Sequence, residues 1–155
     1  MPDAGGRPEL SAATALPVDI GHIDRSDPDA TARAALIVWF SWNPNVDSGP
    51  NNAAARASPL LSAPLRDSIT GTAPVRSPGA QWRRWAQQRA TASVRVDPGT
   101  EAVPPQTPTE AIRVYAVTQN WFSPAGEPIE DVVHKVGVVL RATKSVWEVH
   151  HVEQR

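Results

Sequence analysis

Apolar and polar residues alternate at the period of a β-strand over three stretches in the last third of the chain, residues 112–118, 132–141 and 146–152. In the middle stretch Val132, His134, Val136, Val138 and Leu140 share one face, while Val133, Lys135, Gly137, Val139 and Arg141 share the other. The run Ala142, Thr143, Lys144, Ser145 predicts a tight turn. A two-residue loop at Thr143 and Lys144 would set Leu140 opposite Trp147, Val138 opposite Val149 and Val136 opposite His151, giving the hairpin one buried and one solvated face. An earlier strand is predicted at 90–96, where Ala90, Ala92, Val94 and Val96 alternate with Thr91, Ser93 and Arg95. The segment 97–108 that follows is rich in Pro and Thr and reads as a long exposed connection.

Upstream the hydrophobic period becomes helical. Asp27 can cap, Pro28 suits the first helical position, and Asp29 favours the positive end of the helix dipole. A helix is therefore predicted from there to Trp42, with Ala30, Ala34, Ile37, Val38 and Phe40 to Trp42 as its apolar surface and Asn43-Pro44 as its stop. Residues 45–52 read as a loop. Residues 53–69 read as one or two short helices interrupted at Pro59 and Pro64, with Leu60, Leu61, Leu65 and Ile69 as core contacts. After a connector at 70–78, residues 79–88 predict a short helix carrying Trp82 and Trp85 on one face. Residues 1–26 show no sustained period and are expected to form a flexible arm, leaving 27–155 as one domain. Helices first and strands afterwards argue for an α+β fold, with helices packed on one face of an antiparallel sheet of about four strands.

Composition narrows the functions. The chain has 155 residues, a length that suits one domain. Its 15 basic and 16 acidic residues leave a net charge of -1, so no global field favours nucleic acid as a partner. The absence of cysteine removes disulfides and thiolate chemistry. No apolar run approaches the roughly 20 residues of a membrane span, and the N-terminus lacks a basic start followed by an apolar core. Attachment to a membrane is thus expected only through an anchor absent from this chain. Arg greatly outnumbers Lys, which occurs only at 135 and 144, and Ala and Pro are abundant, a bias typical of GC-rich bacterial genomes.

Candidate chemistry is sparse. His150 and His151 point to opposite faces of a strand and cannot share a metal, whereas the register above brings His134 and His151 together on the apolar face as diagonal neighbours, roughly 7–8 Å apart. They could line a pocket, although a partly buried histidine at the frayed end of a hairpin is the plainer reading. Asp67, in the short-helix region, could serve as a general base only if burial raised its pKa. The acidic residues Glu127, Glu130 and Asp131 sit beside the Pro124, Ala125, Gly126 turn, where such residues are normally solvated. No Gly-x-Ser-x-Gly elbow, phosphate-binding glycine loop or set of metal ligands is present, so neither cofactor nor metal is expected. Arg83 and Arg84, between Trp82 and Trp85, form a charged and aromatic patch. Six tryptophans are more than a core of this size obviously needs, although core packing is the first reading of them. Adjacent Trp121 and Phe122 cannot both face inward, which marks them with Arg83 and Arg84 as candidates for an interaction surface.

The N-terminal helices, the Trp-Arg-Arg-Trp helix leading into a strand, and three further strands ending in Lys144-Ser145-Val146-Trp147-Glu148-Val149 resemble the nuclear transport factor 2-like superfamily. The likeness runs from about Asp27 to Val152. It implies that the helices close over a strongly curved, cone-like sheet, a cystatin-like arrangement. Within the superfamily the chain is most similar to the extracytoplasmic domains of TcpC-like conjugation and type IV secretion assembly proteins of Gram-positive bacteria. That resemblance implies a non-enzymatic assembly module at the cell envelope. Its partners would be other proteins of the secretion or conjugation complex and further copies of itself, on the extracytoplasmic side if an upstream anchor exists and in the cytoplasm otherwise. The alternative is a small-molecule enzyme of the polyketide-cyclase or ketosteroid-isomerase-like kind, with the cone as its pocket. For that, only Asp67, Tyr115, His134 and His151 could supply the acid and base.

Overall fold

The computed structural model describes residues 17–70 and 79–155. The greater part of the expected arm and the connector at 71–78 lie outside the described residues. Helix α1, Pro28–Trp39, starts as its sequence dictates: the Asp27 carboxylate accepts from the Asp29 amide at 2.9 Å, Pro28 opens the first turn, and Asp29 follows it. It ends before the expected Trp42. The Trp42 indole donates to the Trp39 carbonyl at 3.2 Å and the Ser41 hydroxyl donates to the Ile37 carbonyl, so side chains satisfy the last carbonyls before Pro44 can intervene. Helix α2, Pro50–Arg56, begins earlier than expected because Pro50 is its first residue, with the Asn52 side-chain oxygen accepting from the Gly49 amide. A 3-10 turn at Ser58–Leu60 takes up Pro59, and α3, Ala63–Thr70, carries Pro64 in its first turn, where a missing amide costs nothing. Helix α4 is Ala80–Gln87.

Four strands follow: β1 Thr91–Pro98, β2 Glu110–Phe122, β3 Pro128–Thr143 and β4 Val146–Gln154. They form one antiparallel meander in the order β1-β2-β3-β4, and α1 touches every strand. The fold is therefore α+β, with helices on one face of a four-stranded sheet. The β2–β3 connection is the turn expected at Pro124: the Gly126 amide donates to the Ser123 carbonyl at 2.9 Å, and Gly126 takes φ 84°.

The last hairpin differs from its expected register. Its loop is Lys144 and Ser145, both left-handed at φ 53° and 66°, so Thr143 pairs with Val146, Ala142 with Trp147 and Leu140 with Val149. A shift of two residues preserves the faces. A bulge between Val139 and Leu140 does not: it leaves His150 unpaired and brings His151 opposite Val139 and Val152 opposite Val138. His151 is consequently exposed on the outer face, and the expected neighbouring of His134 and His151 does not occur.

The main core joins α1 to the sheet through Leu36, Val38, Phe40, Leu60, Leu61, Tyr115, Val117, Val136, Val138, Leu140 and Val149. A smaller cluster of Trp85, Ala90 and Trp121 packs α4 on the far end of β2, and Trp42 borders both. The segment before α1 is tied down. Arg25 donates to the Trp147 carbonyl at 2.7 and 2.9 Å and to the Pro59 carbonyl at 3.1 Å, while Val18, Ile20 and Ile23 pack on the core. Residues 18–25, inside the expected arm of 1–26, are thus fastened to the domain. Among the described residues no helix is long and apolar enough to cross a membrane.

Candidate functional site

Two polar constellations lie between the helices and the sheet. The first is built by strand alternation, which turns Gln119 of β2 and His134 of β3 inward beneath the end of α1. Gln119 is fully buried, and its amide nitrogen donates to the Phe40 carbonyl at 2.8 Å. Its amide oxygen lies 2.8 Å from His134 Nε2. An amide oxygen can only accept, so this bond assigns the imidazole proton to Nε2. The rings of Phe40 and Trp42 flank His134, with centroids 4.8 and 5.4 Å away. Burial among them lowers the imidazole pKa below its ordinary value, against the opposing pull of a Gln154 hydrogen bond.

The second constellation fastens the start of α1 to β1 and β2. The buried Tyr115 hydroxyl donates to Asp29 at 2.6 Å, Arg33 Nε donates to the other Asp29 oxygen at 2.8 Å, and Arg33 Nη1 reaches the Val96 carbonyl at 2.7 Å. The same guanidinium lies 5.5 Å from the centre of the Tyr115 ring. Burial pushes the Asp29 carboxyl upward, but the Tyr115 and Arg33 hydrogen bonds and the charges of Arg33 and Arg113 outweigh it and hold the group below its ordinary value. Burial, together with the Asp29 bond and charge, drives the Tyr115 hydroxyl well above its ordinary pKa. A carboxylate held so low and a phenol held so high are poor partners for proton exchange near neutrality.

The four residues considered for acid–base work do not converge. Asp67 is exposed on α3, Tyr115 is bonded to Asp29, His134 to Gln119, and His151 faces solvent. Among the described residues no three His, Asp or Glu side chains assemble as a metal site. Of the interaction candidates, Trp121 is fully buried and stacks on Trp85 at 3.8 Å, which removes it from the surface; its indole N–H has no partner among the described residues. Phe122 turns the other way and is half-buried. Arg83 and Arg84 are exposed on the outside of α4.

Phe122 lines an open depression of about 510 Å³, bounded also by Asn43, Asn45, Arg89, Thr91 and Ser123. The loop that supplies its asparagines is braced from below. Arg56 makes paired bonds of 2.8 and 3.0 Å to the buried carboxylate of Asp47, whose second oxygen also accepts from the Asn43 amide at 3.0 Å. Sequence reasoning missed Gln119, Asn45 and Arg89. Nothing local distinguishes them, since each acts on a residue distant in the chain or borders a surface built by several segments. Comparison with known proteins finds no match: no family model fits the chain, and no curated protein or solved structure is significantly similar to it.

Proposed function

We propose that this chain is a non-enzymatic interaction module of the kind that assembles a conjugative type IV secretion apparatus, acting on the extracytoplasmic side of the cell envelope. One observation supports the reading above others: the part-buried groups able to move protons are spent on neighbouring side chains, Asp29 on Tyr115 and Arg33, and His134 on Gln119. Meanwhile Arg83, Arg84 and Arg89 have no ion-pair partner among the described residues, and Phe122 faces an open groove. Unspent cationic and aromatic groups at a surface favour binding a partner over turning over a substrate. The cyclase or isomerase alternative would require Asp67 or His151 to meet His134 or Tyr115, and both are exposed elsewhere. Cross-linking in the cell of origin followed by affinity capture tests the proposal. Secretion or conjugation proteins of the envelope are the expected catch, and recovery of the uncomplexed chain alone would overturn it.

A further inference from the structure

Strand β1 is an edge of the sheet, and among the described residues its free side is closed at both ends but open in the middle. The Gly99 amide donates to the Val114 carbonyl at 2.8 Å, which sets the phase of the β1–β2 ladder. By alternation, Asp97, Arg95, Ser93 and Thr91 turn their backbone groups toward β2, while Pro98, Val96, Val94 and Ala92 turn theirs off the sheet. Pro98 loses no ladder bond there. The outward carbonyl of Val96 is taken by Arg33 at 2.7 Å. At the other end the Ala90 carbonyl accepts from the side-chain Nδ2 of Asn45 at 3.0 Å, and the Ala90 N–H donates to the Trp85 carbonyl at 2.9 Å. Between these caps Ala92 and Val94 each present an N–H and a C=O with no partner among the described residues. The other edge is treated differently: Arg25 occupies both backbone groups of Trp147, and Ser62 donates to the Val149 carbonyl at 2.8 Å.

The open window is symmetric about Ser93, and this points to its occupant. An antiparallel copy of β1 related by a two-fold axis at Ser93 sets Ala92 opposite Val94 of the copy and Val94 opposite Ala92 of the copy, so every free group in the window gains a partner. The next pair outward would be Ala90 with Val96, whose carbonyls are already taken by Asn45 and Arg33, so the pairing stops by itself. Beyond it, just outside the strand, Arg89 has no ion-pair partner among the described residues and comes on the side of Asp97 of the copy, a carboxylate that Arg95 of its own strand already holds at 2.8 Å. On the outer face, exposed Ser93 meets its own equivalent and Thr91 meets Arg95, with no like charges opposed.

We propose that the β1 edge is a self-association surface, joining two copies of this chain by antiparallel β1–β1 pairing into one continuous sheet. So short a ladder makes a weak, reversible dimer. The inference goes beyond the secretion reading and does not depend on it.

The chain has no cysteine, so Ser93→Cys places a single thiol at the two-fold axis, on an exposed non-hydrogen-bonded pair within disulfide reach. Under mild oxidation this variant is expected to form a disulfide-linked dimer about tenfold or more faster than Ser68→Cys, an exposed control on α3. Amide exchange at Ala92 and Val94 is expected to slow as the unmodified protein is concentrated. Val94→Pro, which removes a donor from the free side of the edge and none from the β1–β2 ladder, should abolish that concentration dependence while leaving the circular dichroism spectrum intact. Cross-linking of Ser93→Cys no faster than the control would overturn the proposal. So would concentration-independent exchange at Ala92 and Val94, or their protection by an added extended peptide but never by a second copy.

Discussion

Gln119 does the most work of any single polar residue on the inner face. Its amide nitrogen holds the end of α1 through the Phe40 carbonyl, and its oxygen fixes the tautomer of His134, so a helix, β2 and β3 meet on one side chain. The arrangement favours neutral histidine, because an imidazolium there would lose solvation among Phe40 and Trp42. Folding therefore depresses the pKa of His134 below 6.5. Above that value both folded and unfolded chains carry a neutral ring; below it the unfolded chain takes the proton first, and stability is lost progressively until the pH reaches the folded pKa. Asp29, also depressed in the fold, acts in a separate window and costs stability only as pH falls below its ordinary 3.8. Urea unfolding at pH 7.5 and pH 5 is thus expected to show a lower midpoint at the acidic value, and His134→Gln should shrink that difference. An unchanged difference would mean that other groups carry the pH dependence. At this scale the buried position of His134 was legible from alternation alone, but its partner was not. A glutamine in a strand reads as surface, and only the approach of Phe40, far away in the chain, makes its burial tolerable.

Among the elements, the final hairpin shows what alternation can and cannot decide. The faces of β3 and the first half of β4 follow from the pattern, and a register shifted by an even number of residues leaves them unchanged. The turn was legible but its two loop residues were not, because two-residue loops of this geometry favour Asn-Gly or Asp-Gly and this one uses Lys144 and Ser145, both left-handed. The bulge at His150 was equally hidden, since an extra residue in one strand leaves no mark on its own alternation. The loop carries a conformational cost that can be relieved. Ser145→Gly removes the Cβ from a position at φ 66°, and the gain exceeds the added freedom of the unfolded chain by about 0.5 kcal/mol. A rise of roughly 1–2 °C in melting temperature is expected for a domain of this size. A fall would show that Ser145 contributes something beyond its backbone angle. Helix ends tell a related story: the starts of α1 and α4 lie within a residue of expectation, whereas α1 stops early because Ser41 and Trp42 act on its carbonyls from beyond it.

Over the whole molecule the helices-then-strands order was enough to give the α+β layering, but it did not reveal that the interior has two centres. The larger unites α1 with the middle of the sheet. The smaller, around Trp85, Ala90 and Trp121, holds α4 at the far end of β2. This arrangement also absorbs tryptophans that looked surplus in the sequence, since Trp82, Trp85 and Trp121 are all buried. Trp42 is the principal aromatic link between the centres: its ring lies 5.7 Å from Phe40 and 5.4 Å from His134 on one side, and 5.9 Å from Trp82 and 6.3 Å from Trp85 on the other. Trp42→Ala should therefore do more than remove buried area. A loss of about 3 kcal/mol is expected from truncating a large aromatic at this position, and the loss should fall unevenly. The Ala90 amide, which bonds to the Trp85 carbonyl at the foot of α4, should gain in exchange rate more than the Val117 amide in the middle of β2, because the smaller centre can then open without the larger. In the unsubstituted protein both amides should report the same cooperative opening, and fluorescence and circular dichroism should give one unfolding transition. Equal acceleration of the two amides in Trp42→Ala would mean that the sheet, through the continuous β2–β3 ladder, couples the two centres without help from the aromatic bridge.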